Sequence, residues 1–291
     1  MYTTFYNLTA LPFENTPDPR FFYQSEQHRE ALASIEYMIR SRKGYVVITG
    51  EIGSGKTTVG RTMCDRCGTK ATIVHVTHSH RDGESLLRQV IRGVGGKYGR
   101  EDDHGRLLER LGQHLVELAK QQCPVVLFVD EAQTLADHAL EELRLMSAFD
   151  TATQKLIQIV IVGQPELRER LRQPNLAPLR QRIVLAKHLR PLDLNETASY
   201  ILHRLQVASA DADRPGVAFN HQAIYHIYQV SGGTPRMINS VCDNALLLGY
   251  VKKQRILDES IIDQVASDMI CDLSESVETE GAPLKFRAHA A

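Results

Sequence analysis

YVVITGEIGSGKTTVG, residues 45–60, is where the chain declares its fold. It starts as an apolar, β-branched run, becomes glycine-rich, and ends with the composition of a helix. Gly50-x-x-x-x-Gly55-Lys56-Thr57 is the phosphate-binding loop pattern, set between a strand and a helix as its mechanism requires. Glycines let backbone N–H groups wrap around phosphates, and the following helix adds the positive end of its dipole. The loop residues expected around a nucleotide are Gly50, Glu51, Ile52, Gly53, Ser54, Gly55, Lys56, Thr57 and Thr58. Lys56 is expected to reach the β- and γ-phosphates, and the Thr57 hydroxyl to ligate Mg²⁺. The flanking strand and helix signals disfavour the bland alternative, a glycine turn with an incidental lysine.

Outward from this loop, short runs rich in branched residues recur: TIVHV (72–76), VVLFV (125–129), IQIVIV (157–162) and RIVLA (182–186). Segments with helical period, such as LLERLGQHLVELAKQQ, separate them. Strands apolar throughout and divided by helices indicate an α/β fold, with a parallel sheet covered on both faces. VVLFVDEAQ places Asp130 and Glu131 at a strand end, one carboxylate for Mg²⁺ and the next to orient an attacking water. Water activation points to hydrolysis rather than transfer to another acceptor. The absence of an Asn-Lys-x-Asp stretch favours ATP over GTP.

After Pro191 the pattern turns helical, with no strand expected among the helices. Asp193 or Asn195 is placed to cap the first helix, and SGGTP (231–235) makes a break. The expected organisation is an N-terminal arm and helix at 1–44, a core at 45–190, a helical lid at 191–270, and a disordered tail at 271–291. GVGGKYGREDDHG (93–105) reads as a mobile insertion, and DRPGVA as a surface loop.

Of 291 residues, 43% are hydrophobic and 24% charged, ordinary values for a globular protein. The formal net charge of -1 gives no global field toward nucleic acid or an anionic membrane. MYTTFYNLTALPF lacks the features of a signal peptide, and no apolar run is long enough to span a bilayer. Five scattered cysteines suggest no disulfide framework, so a reduced, cytoplasmic chain without membrane insertion is expected.

The phosphate loop, the strand ending in Asp-Glu and the lid bearing GGTPRMIN resemble an AAA+ ATPase. FYNLTALPFENTPDPRFFYQSEQHREAL, DEAQ, GQPEL and LRQRI together resemble the ExeA/GspA group, ATPases associated with type II secretion and pilus assembly. Transposition ATPases of the TniB/TnsC sort share the core. The resemblance implies sensor roles for Gln164, at a strand end beside the loop, and Arg236, on the lid. It implies an arginine finger acting on a neighbouring subunit, Arg182 with Arg180 as the alternative, and hence a homo-oligomer. It nominates Phe22 and Tyr23 for adenine. It also implies that ATP and Mg²⁺ drive oligomerisation and lid movement in assembly of an envelope apparatus. The chain stops after the lid, without the membrane helix and periplasmic domain of the longer relatives, so a membrane-embedded partner would supply them.

An ATP-dependent, DNA-binding regulator of transposition is the alternative. Arginines 168, 170, 172, 180 and 182, and the cluster Arg88, Arg92, Lys97 and Arg100, could serve it, although a solvated helix face or a subunit interface is the favoured reading of both. A small-molecule kinase fits Asp130-Glu131 poorly. Cys64-x-x-Cys67 reads as buried thiols on one helix face. His75 points away from His78 and His80 on an alternating strand, which argues against metal.

Overall fold

The computed structural model describes residues 1–16, 18–67, 71–77 and 82–278, with side chains to residue 269. In chain order the first elements are α1 (Tyr2–Phe5), α2 (Glu26–Arg40), β1 (Tyr45–Gly50), α3 (Lys56–Cys67), β2 (Thr72–Val76), α4 (Gly83–Gly93) and α5 (His104–Lys120). Next come β3 (Val125–Val129), α6 (Asp137–Met146), β4 (Ile157–Gly163), α7 (Pro165–Arg172), α8 (Ala177–Arg180) and β5 (Ile183–Leu189). The remainder is α9 (Leu194–Ala208), β6 (Ala218–Phe219), α10 (His221–Ser231), α11 (Pro235–Val251), β7 (Ile256–Leu257) and α12 (Glu259–Glu278). Two units result: Thr16–Pro191, and Met1–Asn15 together with the chain from Leu192.

In the first unit every apolar run forms a strand, and all pair in parallel in the order β2-β3-β4-β1-β5. The three central strands are buried at every position, whereas the edge strands β2 and β5 are partly exposed. That is the pattern of a sheet covered on both faces. Alternation sorts the side chains. Tyr45 and Val47 face a core with Leu86, Leu87, Val90 and Ile91 of α4, Leu107 and Leu111 of α5, and Leu140 and Leu143 of α6. Val46 and Ile48 face the other way, against Ala31, Ile35 and Met38 of α2 and Val59 and Met63 of α3. Strand β5 runs three residues beyond its apolar run, because β1 supplies partners as far as Gly50↔Leu189.

Segment 94–103 is tied down rather than loose. Arg88 donates to the carbonyls of Gly99 (3.1 Å) and Asp102 (2.7 Å) and lies over the Tyr98 ring. The Asp102 carboxylate accepts from the Gly99 N–H at 2.6 Å and pairs with Arg110 at 2.7 Å.

In the second unit Asp193, not Asn195, caps α9. Its side chain accepts from the Glu196 N–H while Glu196 reaches back, a complete capping box. Gly232, at φ 56°, ends α10, and Pro235 occupies the first turn of α11. Contrary to expectation there is a sheet here: β6 and β7 pair in parallel, Ala218↔Ile256 and Phe219↔Leu257. Two-residue strands are too short to leave a periodic trace. The N-terminal fifteen residues belong to this unit. Tyr6 donates to the carbonyls of Leu246 and Gln254, and the buried Arg204 guanidinium donates to those of Pro12 and Glu14. Helix α12 continues to Glu278, into the stretch expected to be a tail, and residues 279–291 lie outside the described residues. Among the described residues no helix is long and apolar enough to cross a membrane.

Candidate functional site

Parallel sheets gather functional groups at the carboxyl ends of their strands, beside the point where strand order reverses. Here β1 ends at Gly50, β3 delivers Asp130 and Glu131, and β4 delivers Gln164. The three strands are adjacent, so residues more than a hundred positions apart in sequence share one edge.

The loop itself turns on Gly53 and Gly55, at φ 81° and 91°, values that side-chain-bearing residues rarely adopt. Lys56 begins α3 and is buried. Its ammonium donates to the carbonyls of Gly50 (2.8 Å) and Glu51 (2.7 Å). Glu51 and Ile52 form the exposed tip, and Thr58 is half-buried. Beneath the loop the Thr49 hydroxyl lies 3.0 Å from His188 Nδ1, and burial, then Arg168, holds that imidazole below its ordinary range.

Thr57 Oγ1 donates to Asp130 Oδ2 at 2.9 Å, while Asp130 Oδ1 accepts the Glu131 N–H at 2.9 Å. The two expected Mg²⁺ ligands are thus already side by side. The Ser54 hydroxyl is buried without a partner among the described residues. A hydroxyl–carboxylate pair, a lysine resting on loop carbonyls and an orphaned loop hydroxyl fit a nucleotide phosphate with its divalent cation.

Glu131 stands in the left-handed region, φ 51° and ψ 36°. Its Oε2 accepts from Gln133 Nε2 at 2.6 Å and from Gln164 Nε2 at 3.3 Å. The Gln164 backbone N–H in turn donates to Gln133 Oε1 at 3.0 Å, which closes a ring of three residues. Gln133 was absent from the residues singled out in the sequence, where DEAQ offered its only signal. Also missed was His28 of α2, which meets the loop from behind.

The structure does not gather Arg182 with these groups. Arg182 precedes β5 at the amino end of the sheet, where Tyr45 pairs Ile183, and donates to the Arg144 carbonyl at 2.9 Å and to the Ser147 hydroxyl. Arg180 donates to the carbonyls of Leu171 and Arg172. Arg236 is exposed in the first turn of α11, on the other unit. Of the remaining basic cluster, Arg170 is spent on Asp137 and the carbonyls of Gln133 and Leu135, and Arg172 on Glu169. Phe22 packs edge-on against His28, with ring centroids 5.5 Å apart.

Cys64 and Cys67 are half-buried rather than buried, and Cys64 Sγ lies 3.1 Å from His75 Nε2. Burial pushes the Cys64 thiol up to about 11. His78 and His80 lie outside the described residues. No cluster of three metal-ligating side chains occurs among the described residues.

Residues 39–171 match the AAA domain family. General secretion pathway protein A of Aeromonas hydrophila is 38% identical over 253 residues, 87% of this chain. The chain spans 45% of that protein's length. Among solved structures, the Aeropyrum pernix ORC2 protein in ADPNP and ADP complexes superposes with a TM-score of 0.64 at 15% identity, covering 88% of this chain and 71% of that one. Thermotoga maritima RuvB superposes with a TM-score of 0.53 at 19% identity, covering 85% and 70%. At such identities the two structures speak for the fold alone.

Proposed function

Because the chain belongs to the AAA+ family of P-loop proteins, in the group of general secretion pathway protein A, we propose that it binds ATP with Mg²⁺ and hydrolyses it. The observation that carries this reading is the 2.9 Å contact between Thr57 and Asp130, with Glu131 next in the chain. It joins the phosphate loop to a carboxylate strand 73 residues away, which supports a divalent cation shared by the two.

Lys56 exchanges the carbonyls of Gly50 and Glu51 for phosphate oxygens. Thr57 and Asp130 would hold Mg²⁺, which when bound would supply positive charge to offset that of the phosphates. Glu131 orients the attacking water and takes its proton. The amides of Gln133 and Gln164 both engage its Oε2, leaving Oε1 to face the water. Gln164 reports the γ-phosphate from the core and Arg236 from the helical unit, which links nucleotide state to lid angle. Arg182 serves a neighbouring subunit's nucleotide, after its guanidinium leaves Arg144 and Ser147. Assembly of a secretion or pilus-type envelope apparatus, through a membrane-embedded partner, is the process in which we place this cycle. The name of the Aeromonas relative supports that placement.

Two substitutions test the chemistry. Lys56→Ala is expected to abolish ATP binding in a calorimetric titration. Glu131→Gln is expected to keep binding while phosphate release falls at least about a hundredfold. Phosphate release at the wild-type rate from Glu131→Gln would remove the proposed base.

A further inference from the structure

His28 is a buried histidine with no place in the chemistry above. It lies on α2, 26 residues before Ser54, and is only 3% exposed. Its Nε2 lies 3.1 Å from the Ser54 carbonyl oxygen, and its Nδ1 lies 2.7 Å from the Ser25 hydroxyl. Ser25 is the N-cap residue of α2, yet its hydroxyl makes no capping bond and is given to the imidazole instead. Phe22 closes the remaining side, edge-on at 87°. The fit is tight: a Cβ added at Gly55 would come within 2.9 Å of His28 Nε2.

A carbonyl can only accept, so the ring proton sits on Nε2, and Nδ1 accepts from Ser25. Burial lowers the affinity of His28 for a second proton, which keeps the ring in this neutral form. The carbonyl of Ser54 and the N–H of Gly55 belong to one peptide plane, and that peptide is trans. In a trans peptide the two groups point in opposite directions. Fixing the carbonyl toward α2 therefore turns the Gly55 N–H away from α2, into the hollow of the loop.

We propose that His28 is a positioning residue for nucleotide binding, which sets the Gly55 N–H as a donor to the β-phosphate by clamping the Ser54 carbonyl. The proposal rests on the phosphate-loop reading above. The segment of the loop between two glycines of positive φ is held from outside by a side chain whose ring N–H is given to it. Without that donor the Ser54–Gly55 peptide can rotate, and the phosphate must then pay the ordering cost.

The test uses the full chain and ADP with Mg²⁺. His28→Leu fills the space without a donor, whereas His28→Gln restores an N–H at the reach of Nε2. ADP affinity is expected to fall about five- to tenfold in His28→Leu and to return to within about threefold in His28→Gln. Equal affinity in wild type and His28→Leu overturns the proposal, as does an equal loss in both variants. If His28→Leu does not fold, Ser25→Ala carries the same test, with an expected loss of about threefold in ADP affinity; no loss overturns the clamp. Ring-nitrogen NMR of the wild type is expected to show the Nε2–H tautomer, and the Nδ1–H tautomer would contradict it. Failure of the wild type itself to bind ADP or ATP sinks the phosphate-loop reading, and is recognised by that control alone.

Discussion

Glu131 occupies backbone that costs a residue with a side chain roughly 1 kcal/mol or more. Such strain persists where neighbours over-determine it, and here they do. The Asp130 carboxylate takes the Glu131 N–H, the Thr134 N–H and hydroxyl take its carbonyl, and two glutamines take its carboxylate. Gln133 contributes most to this arrangement, because it touches both Glu131 and the Gln164 backbone. Replacing it with leucine frees the Glu131 carboxylate to wander without touching the loop. Turnover in Gln133→Leu is expected to fall about 10- to 100-fold while ATP affinity, measured by titration, stays unchanged. A normal turnover number would show that Gln164 alone suffices.

At the scale of elements, α3 joins the phosphate loop to the sheet, and its seat depends on a missing side chain. Gly60 faces the Phe128 ring so closely that an added Cβ would meet Cζ at 1.9 Å. Phe128 is itself buried, with His75 against it at 5.2 Å. Helix propensity alone favours Gly60→Ala by roughly 1 kcal/mol. Overpacking a core costs about 1–3 kcal/mol, so the clash is expected to win. Urea unfolding of Gly60→Ala should therefore show a lower midpoint with an unchanged slope; a raised midpoint would mean that the ring yields freely. The three central strands were legible because a parallel strand buried on both faces is dominated by apolar residues, and the partly exposed β2 and β5 because their runs are rich in branched residues. The paired β6 and β7 were not, because two residues carry no period.

For the whole molecule, the chain passes between its two units twice, near Asn15 and near Pro191. An arm that reads from sequence as a lead into the core is divided: its first fifteen residues are bound into the helical unit, Tyr6 to Leu246 and Gln254 across some 240 positions. The sheet also bears on the proposed trans mechanism. Arg182 lies at the amino end of β5 and the phosphate loop at the carboxyl end of β1, with a parallel strand of six to seven residues, about 20 Å, between them. Arg182 is therefore unable to serve the nucleotide of its own chain. Mixing Arg182→Ala with Glu131→Gln subunits is expected to restore part of the ATPase activity each lacks, once co-assembly is shown by sedimentation. No restoration from co-assembled chains would leave Arg182 as the brace between β5 and α6 that its bonds to Arg144 and Ser147 describe.

By itself the sequence determined the parallel α/β sheet, the phosphate loop with Lys56 and Thr57, and the paired acids Asp130 and Glu131. Each of these is a local pattern, in which neighbouring residues state their own geometry through period, glycine placement or strand-end position. Tertiary structure alone brought Thr57 onto Asp130, closed the ring of Glu131, Gln133 and Gln164, and set His28 behind Ser54. Those partners stand 26 to 73 positions apart, apart from the Gln133–Glu131 bond, and polar side chains carry no periodic mark of what they will meet. Only the packing of helices on both faces of the sheet fixes which of them arrive at the same edge.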